Sequence, residues 1–540
     1  MSNSPYSGAA LKRSAMHFLA GKAASALLTF GILLWLVRLL DVEEYGTYVA
    51  LVAGMELGLA ITQIGLPWVA ARYLPEFRLH ASGQQLEKFA LQIIARICLY
   101  AIMGALLLFV SLPWLLAPLK LAQHADVARL YLLVMMAEGL RRNLQECILE
   151  PLLQQGHAQF SQVMRNLVLL VCLGIIAVQG AVHLHHVALA ELTGTLVGTG
   201  FALRGLVRYL RTHRHLPGEA SWQPPKWVKM RRTALHMYFS QLITLAHSQQ
   251  VFIFLTQHFL GVETTALLGF LLNLYGQICR YLPATLLFGL IRPKLIASYV
   301  GEGGMAQLMG NANLVGKLSL FVLMPLLVFA WLAGDELLSL LSAHKFTQAG
   351  SYFGCLLLVL IPFSQRLILE TVVVASGHSH FCSWGSSLAV LTLPLAYWLL
   401  ESGQGLWGPI LAMMASQILY NATLSAAMAA TTAYRPDAAG LFRLSAAALV
   451  GYGLCIFARM AWVGSFQPQV NESVGLLGNA QAFFYALFAQ EIERPVQGWL
   501  GLTVMAALSL GLFLLMSFFF KPFRVEERLR LNRLLGYKSR

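Results

Sequence analysis

The chain has 540 residues, 58% of them hydrophobic and 11% charged, with a formal net charge of +14 and a mean hydropathy of +0.65. Soluble domains carry roughly 25% charged residues, so this composition excludes a soluble globular protein. The positive charge fits basic loops beside an anionic membrane leaflet, and no stacking-aromatic motif for nucleic acid accompanies it.

Apolar segments of about 20 residues recur along the whole chain, each long enough to cross the hydrocarbon core as a helix. Runs such as 101–110 and 510–520 lack the strict alternation of barrel strands. The spacing predicts an all-α polytopic membrane protein of about fourteen helices. They fall near 17–40, 46–71, 89–117, 127–150, 158–181, 185–209, 233–258, 263–290, 311–333, 350–375, 380–401, 405–430, 439–463 and 497–520.

The first segment is too long for a signal-peptide core and has no small-residue cleavage site, so it reads as a retained helix. Lys22 and Arg38 sit near its two ends, where long basic side chains snorkel or line the mouth of a cavity. An acidic turn, LDVEEYG from Leu40, leads into the second segment, which carries Glu56 near its middle and Gln63 two turns later. A charge at that depth costs about 2.5–3.5 kcal/mol even on the lenient insertion scale, so it faces a protein interior or a hydrated cavity. The fourth segment is the most charged, with Glu138, Arg141, Arg142, Glu146 and Glu150. Glu138–Arg142 and Arg142–Glu146 have the i,i+4 spacing of mutually neutralising pairs. Arg141 has no acid at that spacing.

His183, His185 and His186 form a short cluster that reads as a solvated turn rather than a metal site. The link that follows is basic: residues 204–232 hold Arg204, Arg208, Arg211, Arg214, Lys226, Lys229, Arg231 and Arg232. The seventh segment is polar for a spanning helix, with His236, Gln241, His247, Gln249, Gln250 and Gln257, and predicts a water-facing stripe. In the eighth, Asn273, Gln277 and Arg280 follow one another at steps of four and three and share a helical face. Arg292 and Lys294 near its exit read as interfacial. Arg366 and Glu370 form another i,i+4 pair. The link 464–495 has a single basic residue, whereas the tail 521–540 is strongly basic. By the positive-inside rule, both termini and the 204–232 link are predicted cytoplasmic and the 464–495 link external.

The LDVE of residues 40–43 is echoed by LGVE at 260–263, each closing one helix and opening the next. The two are six predicted helices apart, which suggests two six-helix halves related by an axis along the membrane normal. The expected organisation is an N-terminal bundle over 1–210, a basic linker over 211–232, a second bundle over 233–432, two additional helices with a long external loop over 433–520, and a basic tail over 521–540. Seven cysteines are scattered singly, without CxxC spacing, so neither a metal centre nor a disulfide framework is expected. There is no Walker motif, dinucleotide turn or HExxH, and neither enzymatic activity nor a cofactor is expected.

The first helix, the LLDVEEYGTY turn, the Ile64-Gly65 step and the ARYLPE exit at 71–76 together resemble the N-terminal signature of polysaccharide flippases, the Wzx-type transporters of the multidrug/oligosaccharidyl-lipid/polysaccharide superfamily. The strong likeness covers about the first eighty residues, with weaker similarity over 138–156 and 259–263. It implies a bacterial inner-membrane protein of MATE/MOP-like arrangement. Such a protein would move a polyprenyl-diphosphate-linked oligosaccharide outward for O-antigen, capsule or exopolysaccharide synthesis, by alternating access around a cationic cavity. A polysaccharide polymerase and glycosyltransferases would be its partners beside membrane lipids. The last two helices and the long outer link depart from a strict twelve-helix plan.

The chemistry of such a substrate assigns expectations to residues. A diphosphate needs cations, and arginine suits it through its fork of donors; Arg96, Arg141, Arg142, Arg165, Arg280 and Arg366 lie inside predicted spans. Arg280 and Arg141 are the expected anion ligands, with Asn273, Gln277, Arg38, Lys22, Gln241 and Gln249 as further substrate contacts. Glu56, His247, Glu138, Arg142, Arg366 and Glu370 are expected to form cavity ion pairs or to couple transport to an ion. Two other readings stay open: a non-transporting scaffold for glycan-assembly enzymes, and a drug/cation antiporter of the same superfamily, which would favour acidic residues in the cavity.

Overall fold

The computed structural model describes residues 8–219, 221–286, 295, 304–432, 435, 437–465 and 498–534. All regular structure among them is helical, and eleven helical stretches are long and apolar enough to cross a membrane by length and composition. The chain is a multi-pass membrane protein. The three other predicted segments are also helical but too charged, too polar or too interrupted to meet that measure. Arg292, Lys294 and the link 464–495, apart from its first two residues, lie outside the described residues.

The chain divides into two compact units, Met1–Asn273 with Ala396–Pro409, and Leu274–Leu395 with Ile410–Arg540. In the first unit, α1 (Gly8–Leu39) leads through the acidic turn into α2 (Val42–Thr62). Asp41 caps α2 by accepting from the Glu44 amide at 2.6 Å, leaving Glu43 and Glu44 in the first turn, where the helix dipole favours acids. The predicted single helix over 46–71 is broken. Gly65 takes a left-handed backbone (φ +70), a conformation glycine adopts without strain, and α3 (Leu66–His80) starts on a new course. Ser82 and Gln85 form a reciprocal capping box that opens α4 (Gly83–Leu116). Next come α5 (Ala125–Arg142), which continues without a break into a π-helical segment over Asn143–Leu149, then α6 (Gln155–Gln179) and α7 (Leu184–His213). The seventh predicted helix is two: α8 (Trp227–Ala246) and α9 (Gln249–Leu260), separated at His247 and Ser248. Gly261 (φ +82) then precedes α10 (Val262–Tyr281), so both echoed turns do separate two helices.

One apolar cluster of this unit gathers Leu74, Phe77, Phe89, Ile93, Ile148 and Leu206; the other gathers Leu51, Met55, Leu59, Leu112, Tyr131 and Met135. The basic link is tied to the α3–α4 corner: the Gly83 amide donates to Leu216 O (3.0 Å), the Glu219 amide to His80 O (2.9 Å), and the Arg96 guanidinium stacks 3.7 Å from the Trp227 ring centroid.

The second unit contains the end of α10, the short α11 (Pro283–Leu286), and α12 (Gly304–Leu341), which holds Pro325 and kinks at Ala333. It continues through α13 (Gly350–Leu358), α14 (Leu360–Ala375), α15 (His380–Ala389), the start of α16 (Thr392–Glu401), and nearly all of α17 (Trp407–Thr431). Its core includes Leu308, Ile368, Leu369, Val372, Phe381 and Leu424. The last two long helices, α18 (Ala438–Ser465) and α19 (Trp499–Phe520), pack on each other and on α12, and a short amphipathic helix α20 (Val525–Leu534) follows. Large apolar side chains such as Leu107, Trp114, Val178, Phe457 and Phe518 are exposed on the spanning helices, the surface a bilayer would cover.

Candidate functional site

The most developed polar site lies inside the first unit, where α2, α5, α6 and α7 converge. Its centre is Glu138, whose side chain is 3% exposed. Arg141 grips that carboxylate with two bonds, Nε to Oε2 at 2.9 Å and Nη2 to Oε1 at 2.6 Å. Arg142 donates from Nε to Glu138 Oε1 at 2.7 Å and turns its two Nη groups to Glu56, at 2.8 and 2.7 Å. Arg141 Nη1 also donates to Gln145 Oε1 (3.0 Å) and Gln162 Oε1 (2.6 Å), and Thr195 donates its hydroxyl to Glu138 at 3.3 Å. Arg165 Nε stands 3.9 Å from Glu138, and its Nη1 donates to Asn166 Oδ1 at 3.1 Å. Helix α7 approaches closely because Gly198 faces the group: a Cβ there would stand 3.1 Å from Arg141 Cδ.

Above this group, Tyr48 donates to the buried Glu191 at 3.1 Å, with Tyr131 beside the same carboxyl. Glu138 and Glu56 thus neutralise Arg141 and Arg142, with Arg165 at the edge of the group. Such balance is what a low-dielectric interior requires. The group is graded in exposure. Arg141 and Glu138 are sealed, whereas the Arg142 and Glu56 side chains are 32% and 29% exposed. Only the outer pair can exchange partners with a solute.

In the second unit, Arg366 donates to Glu370 (2.8 Å) and stacks 3.9 Å from the ring centroid of Tyr420, whose hydroxyl donates to the same carboxylate (2.7 Å). A cavity of about 240 Å³ lies nearby in this unit, lined by residues including Asn313, Lys317, Gln365, Asn421, Ser425 and Asp437. Lys317 is 1% exposed and is held by Asp437, by both carboxylate oxygens of Glu527 (2.9 and 2.8 Å), and by Pro522 O (3.4 Å). Arg524 donates to the other oxygen of Asp437 at 3.0 Å. Burial alone would raise the Asp437 carboxyl, but the Lys317 bond and charge, the Gly440 amide and Arg524 hold it below the ordinary aspartate value.

The expected site residues fare unequally. Arg366–Glu370 and Glu138–Arg142 form as their spacing predicts. Arg141 has no acid at i,i+4, as its spacing indicates, but it is paired with Glu138 at i−3, which takes up the fork expected to be open to an anion. Arg142 does not pair with Glu146. The π-helical turn beginning at Asn143 has more residues per turn, which carries Glu146 off that face to an exposed position. His247 is buried but lies at the break between α8 and α9, not in mid-helix. Gln241 and Gln249 are half-buried on either side of that break, while Lys22 and Arg38 are exposed on α1. Lys22 rests 5.6 Å from the Phe18 ring centroid. Asn273 belongs to the first unit, near the Tyr45 hydroxyl, and Gln277 and Arg280 to the second. Arg280 is exposed; among the described residues it alone of the six intramembrane arginines has neither a carboxylate within 4.0 Å nor an aromatic face. His183 Nδ1 lies 3.1 Å from Glu44, and no group among the described residues is arranged to hold a metal ion. All seven cysteines are free.

Sequence reasoning missed Glu191, Lys317 and Asp437 with Glu527. The signal for Glu191 and Lys317 was the one used for the arginines, a charge within an apolar segment.

No family model and no curated protein matches the sequence. Solved structures do match the fold. The lipid II flippase MurJ in an inward closed conformation superimposes with a TM-score of 0.62 at 12% identity, over 93% of this chain and 98% of that one. An inward-facing multidrug resistance MATE family transporter of the MOP superfamily gives 0.55 at 13% identity, over 75% and 94%. A MATE structure in a bent conformation gives 0.51 at 14%, over 78% and 95%. The chain shares the fold of these solved structures.

Proposed function

We propose that this protein is a flippase that moves a polyprenyl-diphosphate-linked oligosaccharide across the bacterial inner membrane, with both termini cytoplasmic and no enzymatic step of its own. The observation that carries this reading is the extent of the fold likeness to a lipid II flippase, over 93% of this chain and 98% of that one. The LLDVEEYGTY signature supports the narrower Wzx-type assignment, serving O-antigen, capsule or exopolysaccharide synthesis.

The residues supply the chemistry such a substrate needs. Arg142 presents two Nη donors to Glu56 in a bidentate pair that is about one-third exposed. A diphosphate has the geometry to take the place of the Glu56 carboxylate on that fork. Glu138, gripping Arg142 Nε from the buried side, would keep the fork oriented through the exchange. Arg280, exposed and without an ion pair among the described residues, is the free cation best suited to a phosphate. Gln277 on the same helix and Gln241 and Gln249 suit glycan hydroxyls. Arg141 is committed to Glu138 and would act by positioning Arg142. The arginines among the intramembrane charges favour an anionic cargo over a drug cation.

The test is reconstitution of the full chain into liposomes, following the sidedness of a polyprenyl-diphosphate oligosaccharide. Wild type should equilibrate it across the bilayer, and Arg280→Ala and Arg142→Gln should slow that by about tenfold or more, as expected for loss of a charge-assisted contact. No movement by folded wild type refutes the flippase reading and leaves the scaffold. Unchanged rates in both variants refute the site.

A further inference from the structure

The second unit carries an exposed surface that combines basic and apolar side chains where α18 begins and α19 ends. Lys521 adopts a left-handed backbone (φ +46) that closes α19 and turns the chain toward α20. Arg443 on α18 donates to Lys521 O at 3.3 Å, joining the two helix ends. Glu527 points inward onto Lys317, which fixes the rotation of α20. Its other face is thereby set outward: Val525 (74%) and Leu529 (41%) are exposed one turn apart. So are Arg524 and Arg528, at the same spacing. Phe442 at the start of α18 is exposed beside Arg443.

Among the described residues the charge on this surface is predominantly positive. Arg443, Lys521, Arg524 and Arg528 are exposed against a single exposed acid, Glu526, because Asp437 and Glu527 are spent on Lys317. Arg524 uses Nη2 on Asp437 while 70% of its side chain remains exposed, so other donors of its fork face outward. The Arg528 side chain donates from Nε to Phe523 O at 3.2 Å, which leaves its Nη groups outward among the described residues.

We propose that this surface is a binding site for anionic phospholipid headgroups of the leaflet beside the C-terminus, with the phosphodiester on Arg524 and Arg528 and the upper acyl region against Val525 and Leu529. Two features select a lipid as occupant. The surface follows directly on the apolar span Trp499–Phe520, so it starts at the membrane boundary. Its exposed Val525 and Leu529 match acyl chains, which a free phosphate ion lacks. Arg524 also touches the acid that pairs with buried Lys317, so headgroup binding and the seating of α20 are linked.

The test uses the full chain in nanodiscs of phosphatidylcholine alone or with phosphatidylglycerol, reading co-purified phosphatidylglycerol by mass spectrometry and the unfolding midpoint. Wild type should retain phosphatidylglycerol selectively and melt higher in its presence. With each basic residue near a membrane surface worth the usual increment, Arg524→Gln/Arg528→Gln should weaken that retention on the order of 30-fold, and Arg528→Gln alone roughly fivefold. The single variant touches no buried group and keeps the test decisive if the double variant folds poorly. Equal retention by wild type and Arg528→Gln overturns the proposal. So does an equal gain in midpoint from inorganic phosphate in phosphatidylcholine nanodiscs, which would identify an ion site instead.

Discussion

Replacing Lys317 by methionine removes one buried ammonium while keeping most of the side chain's length and apolar stem. Its two carboxylate partners, Asp437 and Glu527, have side chains only 7% and 12% exposed, so water cannot take over from the lysine. Leaving buried charge uncompensated costs about 3–5 kcal/mol. Glu527→Gln is the milder change, because Lys317 keeps Asp437; loss of one charge-assisted bond costs about 1.5–3 kcal/mol. In Lys317→Met/Glu527→Gln the offending charge goes with its cation, so the double loss should fall short of the sum of the two single losses by about 1 kcal/mol or more. Thermal unfolding of the purified full chain in one detergent reads all three. Lys317→Met should lower the midpoint by roughly 6–20 °C, taking the usual scaling for a unit of this size. If Lys317→Met melts with wild type, or the two changes add without coupling, the cluster does not carry the stability assigned to it here.

The first unit makes a parallel prediction: Glu138→Gln, which strips the buried Arg141 of its bidentate partner, should destabilise by about 3–5 kcal/mol, whereas Glu56→Gln, at the exposed rim, should cost about 1 kcal/mol, both read as midpoint shifts. Acid should weaken the second unit in a defined direction. The folded Asp437 carboxyl titrates below its unfolded value near pH 3.9, so its stabilisation is present above that pH and is lost as pH falls through the folded value. Midpoints measured from pH 7 to 3 should show this loss in wild type and a smaller one in Lys317→Met. Gly65→Ala should destabilise by about 1–2 kcal/mol or more from the left-handed backbone alone, and its Cβ would stand 2.2 Å from Ala234 O; an unchanged midpoint would contradict the sharp α2–α3 break. Arg280→Ala should leave the midpoint unmoved while slowing substrate movement, since it breaks no bond among the described residues.

Much of the site was legible wherever partners share a helix. Arg366–Glu370 and Glu138–Arg142 follow from i,i+4 spacing, and Glu56 was marked by the cost of its depth. Arg141 was expected to be an anion ligand because it has no acid at i,i+4; the i−3 acid, Glu138, went uncounted and takes its fork. Glu146 was misplaced because a single π-helical turn, which sequence periodicity does not announce, changes the face on which every later residue falls.

Reading the residues in order was enough to mark a helical, multi-pass membrane protein, eleven of its candidate spans, and the charges too deep to be solvated. Those properties are local: hydropathy over one helix length and spacing along one helix. Only the tertiary structure decided who neutralises whom. Glu56 finds Arg142 across 86 residues and Lys317 finds Glu527 across 210. These pairings depend on which helix faces meet, and that is set by packing of apolar surfaces throughout each unit. The same packing left Arg280 without an ion pair among the described residues and turned the basic face of α20 outward, although nothing in the spacing of either segment distinguishes them from the arginines that were paired.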